Sequence, residues 1–161
     1  MVDIHPYSDQ DANKVWAILE PVFRAGETYT IDPKISRDDA LTYWTGGTHH
    51  AFVAGAGLGT YYIRPNQAGN GDHICNCGYI TAPAAQGKGI ARAMLEDSFI
   101  RARKMGFLAM QYNFVLANNN RALDTWARYG FSQIGRIPDA FRHPKDGMVD
   151  AVIMHRRLDL E

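Results

Sequence analysis

Residues 79–95 read YITAPAAQGKGIARAML, a short apolar run that passes through a glycine-rich turn into a helix-like pattern. Gly87, Lys88 and Gly89 lie in the turn, and its small side chains would expose backbone N–H groups at the start of a helix. Exposed N–H groups and the positive end of a helix together suit an anion such as a phosphate. The segment therefore predicts a strand, a phosphate-binding turn and a helix.

Three phosphate-binding motifs occur at such junctions, and their spacings differ. A Walker loop is excluded because Lys88 is followed by glycine rather than Ser or Thr, and because Ala82 stands at the place of its first glycine. A dinucleotide fingerprint is excluded because Arg92 stands at the place of its last small residue. The third pattern, Q/R-x-x-G-x-G/A, is matched by QGKGIA at residues 86–91.

This third pattern is the coenzyme A pyrophosphate loop of the GNAT superfamily of N-acetyltransferases, which the sequence resembles. A second tract supports the resemblance. A later helix of the superfamily often reads N-x-x-A-x-x-x-Y-x-x-x-G-F, and Asn119, Ala122, Gly130 and Phe131 fall in place. The tyrosine of that pattern is replaced by Trp126. Since an indole N–H is no useful acid, the proton-donating tyrosine of many relatives is missing here.

The composition limits the class of protein. The chain has 161 residues, which predicts one domain over residues 1–161, and its 17 Lys and Arg balance 17 Asp and Glu. This balance excludes the usual electrostatic pattern of nucleic-acid or anionic-membrane binders. No signal pattern or run of roughly 20 apolar residues is present, and Cys75 and Cys77 are too close on one strand for a good mutual disulfide. We expect a cytoplasmic protein with reduced thiols.

Periodicity predicts alternating helices and strands. The predicted order is strand, two helices, three strands, helix, strand, helix and two strands, with Pro21 ending or kinking the first helix and residues 137–150 forming a surface loop. The pattern gives a mixed α/β layered domain. The resemblance implies the GNAT fold, a mostly antiparallel twisted sheet of about seven strands with about four helices. Predicted strands are 2–5, 51–54, 58–63, 74–81, 108–115, 131–136 and 149–156; predicted helices lie near 12–23, 36–44, 90–105 and 119–129.

A closer resemblance covers roughly residues 26–152. It is to the fungal acetyltransferases that detoxify the proline analogue azetidine-2-carboxylate, together with their bacterial relatives. It implies a small amine acceptor, an amino or imino acid or an analogue. Glu27 stands where the fungal protein has a different type of charge, which leaves the identity of the acceptor open. The tracts that carry the resemblance are GETY at 26–29, YW at 43–44, GTYYIRPN at 59–66, CNCGY at 75–79, YNFVLANN at 112–119 and FSQIGRIPDA at 131–140.

The resemblance also implies site residues. Asn76 and Asn113 match asparagines that line the acceptor pocket in that family, and Tyr29 of the GETY tract is predicted beside them. Asparagine is uncommon within strands, so a polar role for these two amides is plausible on physical grounds, although a satisfied sheet asparagine is the alternative. Asn119 is predicted as a helix cap and cofactor contact. The predicted acetyl-CoA contacts are Ile80, Thr81, Ala82, Gln86, Gly87, Lys88, Gly89, Ile90, Ala91, Arg92, Asn119 and Trp126.

The expected reaction is direct transfer of acetyl from acetyl-CoA to an amine, with both substrates held together. A backbone N–H of the 74–81 strand would polarise the thioester carbonyl. The amine must lose a proton, and Glu27 is the first predicted base, with Asp72 and His73 behind it. Water held by Asn76 competes with all three. Tyr129, one turn after Trp126, is assigned to packing or to the outer end of the cofactor.

Other functions stay open. The missing tyrosine permits a non-catalytic acyl-CoA sensor or interaction module, and the acceptor could instead be a protein N-terminus. Alternating His73, Cys75 and Cys77 would share one strand face, but no fourth ligand is evident, so no metal is predicted. No nucleic acid or membrane partner is expected. A homodimer is expected because many relatives pair through their C-terminal strands.

Overall fold

The computed structural model describes residues 1–159. Seven strands and four helices follow in the predicted order. The strands are β1 (Ile4–Pro6), β2 (His50–Ala54), β3 (Gly59–Pro65), β4 (Ile74–Thr81), β5 (Ala109–Leu116), β6 (Ser132–His143) and β7 (Gly147–Arg157). The helices are α1 (Ala12–Ala25), α2 (Arg37–Thr45), α3 (Ile90–Lys104) and α4 (Asn120–Arg128).

One sheet holds all seven strands, in the order β1-β2-β3-β4-β5-β7-β6. Every neighbouring pair is antiparallel except β4 and β5, which are joined by α3 and run parallel. The predicted GNAT fold, mostly antiparallel with seven strands and four helices, is confirmed. The β4–β5 ladder contains only Ile74 opposite Ala109 and Cys75 opposite Met110. Beyond these residues the two strands diverge and open the sheet.

Helices cover both faces of the sheet. α1 and α2 pack on one face, where Leu19, Phe23 and Trp44 are almost fully buried. α3 and α4 pack on the other face, against Met110, Tyr112 and neighbouring side chains. Because successive strand residues point to opposite faces, Cys75, Cys77 and Tyr79 of β4 belong to the α3–α4 side. Asn76 and Gly78 therefore lie on the α1–α2 side.

Pro21 was predicted to end or kink the first helix, and it does not end it. α1 continues to Ala25 and ends at Gly26, which adopts a left-handed conformation with φ 64°. The proline costs one backbone hydrogen bond. Burial of the apolar residues around it, Ile18 and Phe23 among them, offsets that cost because the stripe they form packs on the sheet.

The prediction that residues 137–150 form a loop is wrong, although most of these residues lie at the surface as predicted. β6 and β7 form one long hairpin whose turn is confined to residues 144–146. Pro138 is tolerated because β6 is the outermost strand and its register with β7 shifts between Ile137 and Phe141. Asp139 takes a positive φ of 46° at this irregularity, and its N–H donates to the Asp150 carboxylate at 2.9 Å.

Candidate active site

The divergence of β4 and β5 opens a cavity of about 1360 Å³. The backbone of β4 forms one wall and β5 with α4 forms the other. The glycine-rich turn before α3 closes one end, and polar side chains of β3, β4 and β5 lie at the opposite end. β4 spans the distance between these ends, with eight residues that extend over about 26 Å.

Every second backbone amide of β4 faces this cavity. The Ala82 N–H donates to the Leu58 carbonyl and the Ile74 carbonyl accepts from the Asn66 N–H, both across the β3 side. In an antiparallel pair these directions alternate, so even-numbered residues of β4 bond to β3. Odd-numbered residues such as Cys77 and Tyr79 direct their N–H groups toward diverging β5. Main-chain donors thus line the cavity without help from side chains.

The turn before α3 has the form of an anion cradle. Gly87 and Gly89 adopt φ values of 76° and 78°, and no protein atom in the described chain lies within 4 Å of a Cβ built on either one. α3 has no side-chain cap, and its first intrahelical donor is the Ala93 N–H, which donates to the Gly89 carbonyl. The Lys88 N–H donates to the Ala85 carbonyl at 3.3 Å, whereas the N–H groups of residues 89–92 have no acceptor in the described chain and are left for a ligand. The turn fits a pyrophosphate group.

An aromatic wall stands on the α3–α4 side. Trp126 packs with its ring centroid 4.8 Å from Tyr112 and 5.8 Å from Tyr79. The hydroxyls of Tyr79 and Tyr112 lie 3.0 Å apart, and that of Tyr79 is 2.8 Å from Ser98 Oγ. Burial raises the pKa of both tyrosines well above the ordinary value, so both hydroxyls stay protonated at neutral pH. Tyr129 donates instead to Glu96, at 2.9 Å.

Asparagines meet on the α1–α2 side of the opening, as the sequence predicted. Asn76 is buried, and its Nδ2 donates to the Gln111 carbonyl at 3.0 Å. This hydrogen bond bridges β4 and β5 just past their last paired residues. Asn113 Nδ2 donates to Asn66 Oδ1 at 2.6 Å, and its own Oδ1 accepts from Gln111 Nε2 at 3.0 Å. Both amides have protein partners, and both line the cavity.

Tyr29 lines the same end of the cavity. Its hydroxyl donates to the Tyr79 carbonyl at 3.1 Å, on the cavity-facing edge of β4. Phe23 and Trp44 hold its ring edge-to-face, each with centroids 5.8 Å away. Burial raises the pKa of Tyr29 far above its ordinary value, so its hydroxyl is a fixed neutral donor.

The predicted base lies apart from these residues. Glu27 is not among the residues that line the cavity, and its carboxylate is 2.6 Å from Lys145 Nζ at the tip of the β6–β7 hairpin. The hydrogen bond and charge of Lys145 lower the pKa of Glu27, which weakens it as a proton acceptor. Asp72 and His73 are exposed in the turn before β4 and do not line the cavity.

Arg64 is a cavity residue that the sequence analysis missed. It stands on β3 directly opposite Asn76, so both side chains leave the same face of the sheet. Arg64 Nε donates to Asn76 Oδ1 at 3.4 Å, and the side chain lines the cavity. The signal was present in the tract GTYYIRPN, where the arginine is the one charged residue of the predicted strand and its flank.

Comparison with known proteins identifies the family. The profile described as "Acetyltransferase (GNAT) family" matches residues 12–131. The chain belongs to the GNAT acetyltransferase family. It is therefore an N-acetyltransferase by family, as the glycine turn predicted. The curated N-acetyltransferase aca1 of Schizosaccharomyces pombe is 32% identical over 148 residues, which cover 80% of this chain and 71% of that protein.

Solved structures support the family on the level of the fold. A GCN5-related N-acetyltransferase from Kribbella flavida superimposes with a TM-score of 0.90 and 33% identity, and the match covers 97% of each chain. A GNAT phosphinothricin acetyltransferase from Sinorhizobium meliloti, solved in complex with acetyl-CoA, has a TM-score of 0.82 at 19% identity, over 97% of this chain and 88% of that one. At 19% identity, the second similarity shows only that the two proteins share a fold.

Most predicted cofactor contacts of this GNAT domain line the cavity. Ala82 and Lys88 do not line it: Ala82 packs against both hydrophobic cores, and Lys88 is exposed. Asn119 caps α4 by accepting from the Ala122 N–H at 3.1 Å, as predicted. The predicted cofactor contacts that line the cavity are Ile80, Thr81, Gln86, Gly87, Gly89, Ile90, Ala91, Arg92, Asn119 and Trp126.

Cys75 and Cys77 are buried and unbridged. Within residues 1–159 no group of three or more His, Cys, Asp or Glu side chains is arranged to hold a metal ion. A search of the same residues finds no helix with the length and apolar character needed to cross a membrane.

Proposed function

We propose that this GNAT enzyme transfers acetyl from acetyl-CoA to the amine of a small molecule, an amino or imino acid or an analogue. The observation that carries the proposal is a continuous cavity that runs through the opened sheet. One end has the geometry of a pyrophosphate cradle, and the other is lined by tyrosine, asparagine and arginine side chains. A small polar acceptor matches the chemistry of that end.

The glycine turn would hold the pyrophosphate of acetyl-CoA through the N–H groups around Gly87, Gly89 and the first turn of α3. Arg92 adds positive charge at this end, although it is shared with Glu96 at 2.8 Å. Acetyl-CoA supplies an acetyl group activated as a thioester. The cavity-facing N–H groups of β4, such as that of Tyr79, are suited to stabilise negative charge on the thioester oxygen.

The described residues of this pocket include no strong side-chain base that could take the proton of the amine. Among the cavity-lining residues in the described chain, Glu96 is the one carboxylate, and Arg92 and Tyr129 already bind it. We assign the step to water held near Asn76 and Asn113. Glu27 remains the alternative base, and it would first have to leave Lys145.

The test is a panel of amines assayed by release of free thiol from acetyl-CoA. We expect turnover with small free amino acids or cyclic imino acids and little with peptides. Peptides turned over in preference to free amino acids would identify a protein N-terminal acetyltransferase. A protein that binds acetyl-CoA but acetylates nothing in the panel would be a sensor or interaction module.

Asn76→Ala and Asn113→Ala should each lower kcat/KM for the acceptor by about ten- to a hundredfold. Each substitution would remove a hydrogen bond that serves the charged acceptor, and losing one such bond costs about 1.5–3 kcal/mol, which corresponds to that range. Acetyl-CoA binding should persist, because neither residue is near the glycine turn. Steady-state kinetics with each substrate varied in turn separates the effect on the acceptor from the effect on acetyl-CoA. The control is Asn118→Ala, because Asn118 is exposed and does not line the cavity. Wild-type kinetics in both variants would make these asparagines structural.

Trp126→Phe should retain most of kcat, because we assign the indole to packing beside Tyr112 and not to proton transfer. In the described chain its N–H makes no hydrogen bond, and phenylalanine keeps an aromatic ring in place. Trp126→Ala should instead weaken acetyl-CoA binding by opening a cavity at the α4 wall. A Phe variant that binds acetyl-CoA normally and loses a thousandfold in kcat would contradict this assignment.

The cytoplasmic location and the homodimer through the C-terminal strands both stay predictions. β6 is the outermost strand on that side of the sheet, so its free edge is where such a dimer would form. The oligomeric state in solution is measured directly by light scattering.

A further inference from the structure

The acceptor end of the cavity carries a positive charge that the mechanism above does not use. Arg64 is half-buried on the α1–α2 side of the sheet and lines the cavity beside Asn76. Its neighbour His49 does not add to this charge, because burial, and less strongly the charge of Arg64, lowers the pKa of His49. Lys145, at the hairpin tip, is engaged by Glu27. Of the residues that the structure describes, Arg64 is therefore the cation at the acceptor end of the cavity.

The guanidinium of Arg64 is oriented but not neutralised. Nε donates to Asn76 Oδ1 at 3.4 Å, and Asn76 is itself fixed by its bond to the Gln111 carbonyl. In the part of the chain that the structure describes, the two terminal nitrogens of Arg64 make no hydrogen bond, and no carboxylate lies within 4 Å of the side chain. A guanidinium has five N–H donors, so one edge of the fork remains for a ligand.

Among residues 1–159, no carboxylate at this end of the cavity balances the charge of Arg64. The carboxylate of Glu96 lies on the α3 side, where Arg92 and Tyr129 bind it, and Glu27 is bound by Lys145 outside the lining. A partly desolvated charge without an opposite charge is costly. A planar carboxylate accepts two parallel N–H bonds from an arginine fork, which makes it the anion that this geometry matches.

We propose that Arg64 binds the carboxylate of the acceptor and selects amines that carry a carboxylate close to the nitrogen. The inference rests on the proposed function, because it concerns the acceptor of the same reaction. Asn76 acts here as a positioning residue that directs the fork of Arg64 into the cavity. The amine of an α-amino or imino acid would then point away from Arg64, toward the cavity-facing edge of β4.

The experiment compares a cyclic imino acid with its carboxamide as acceptors for the wild type, Arg64→Gln, Arg64→Lys and the exposed control Arg142→Gln. The wild type should prefer the acid. Arg64→Gln should lower kcat/KM for the acid about ten- to a hundredfold, the range for a hydrogen bond to a charged group, and leave the carboxamide within about threefold. Arg64→Lys should recover part of the loss, and Arg142→Gln should behave as wild type.

Equal losses for acid and carboxamide, or no wild-type preference for the acid, would overturn the inference while acetyl transfer to amines still stands. If no amine is turned over, the proposed function fails, and equilibrium binding of the same acid decides the inference separately. If the wild type binds the acid and Arg64→Gln does not, carboxylate recognition by Arg64 is supported. If both bind the acid equally, or if the wild type does not bind it, the inference is overturned. If Arg64→Gln does not fold, Arg64→Lys and the wild-type ratio of acid to carboxamide give the answer.

Discussion

Gly89→Val should abolish the thermal stabilisation of the protein by coenzyme A, whereas Gly106→Val should leave it intact. The two glycines flank the same helix, and both take a positive φ, 78° and 90°. No protein atom of the described chain lies within 4 Å of a Cβ at either position. The two substitutions thus impose the same kind of backbone strain, but only the one at Gly89 puts a side chain into the anion cradle.

The expected magnitudes follow from binding linkage. At a coenzyme A concentration of about 100 times Kd, binding stabilises the folded state by about 2.7 kcal/mol. For a domain of this size each kcal/mol shifts Tm by about 2–4 °C, so the wild type should gain roughly 5–10 °C. A valine in the left-handed region costs about 1–2 kcal/mol, and both variants should lose a similar few degrees without ligand.

Thermal unfolding of the wild type and both variants, with and without coenzyme A, gives the comparison. Isothermal titration of Gly89→Val then measures the affinity that remains. A folded Gly89→Val protein with unchanged coenzyme A affinity would refute the assignment of the glycine turn. Equal loss of stabilisation in Gly106→Val would point to a general effect of strain on α3.

Alkaline pH should unfold the protein steeply, starting near pH 10. Several tyrosines are held protonated by the fold, and burial is the main reason that their pKa values lie well above the ordinary one. The hydrogen bond of Tyr61 to the Asp97 carboxylate, at 2.5 Å, raises the pKa of Tyr61 further. The five tyrosines concerned are Tyr29, Tyr61, Tyr62, Tyr79 and Tyr112.

Below about pH 10 these tyrosines are protonated in both the folded and the unfolded chain, and their contribution to stability does not change with pH. Above it the unfolded chain releases the protons and the folded chain retains them, so the free energy of unfolding falls as pH rises. Each tyrosine contributes a slope of up to about 1.4 kcal/mol per pH unit. Several acting together would exceed the stability of an ordinary domain within two pH units.

Denaturant unfolding at a series of pH values, followed alongside tyrosinate absorbance, tests this expectation. Tyrosinate should form together with loss of structure and not before it. Tyr112→Phe should reduce the slope by the share of one tyrosine. A folded protein whose tyrosines titrate near pH 10 would show that they are not protected by burial.

The sequence predicted the order of the elements and the glycine turn because both depend on local chemistry. Positive-φ glycines, the Ser36 cap, whose side chain accepts from the Asp39 N–H at 3.1 Å, and the helical period of α3 are set by neighbouring residues. The strand Ile74–Thr81 was predicted with both ends correct. Local rules failed at Pro138, where the outermost strand accommodates the missing N–H. They also did not show that the first helix continues past Pro21, where burial compensates for the missing N–H.

Parts of the candidate site depend on tertiary contacts that no local rule contains. Lys145 reaches Glu27 only because β6 and β7 extend into a long hairpin, which the sequence analysis had broken into a loop. Arg64 meets Asn76 through the β3–β4 register, and the two lie 12 residues apart in the chain. The asparagines were predicted through the family resemblance, and their hydrogen-bond partners could not be predicted from it.

The cavity-facing edge of β4 is made of main chain, and this has an evolutionary consequence. An amide N–H is present whatever side chain the residue carries, proline apart, so random substitution along β4 leaves the donors of this wall in place. The opposite end of the cavity is built from the side chains of Arg64, Asn76 and Asn113, where a single codon change alters the chemistry. Mutations can therefore change which acceptor such a protein uses, while the main-chain groups that bind the shared acetyl donor are kept.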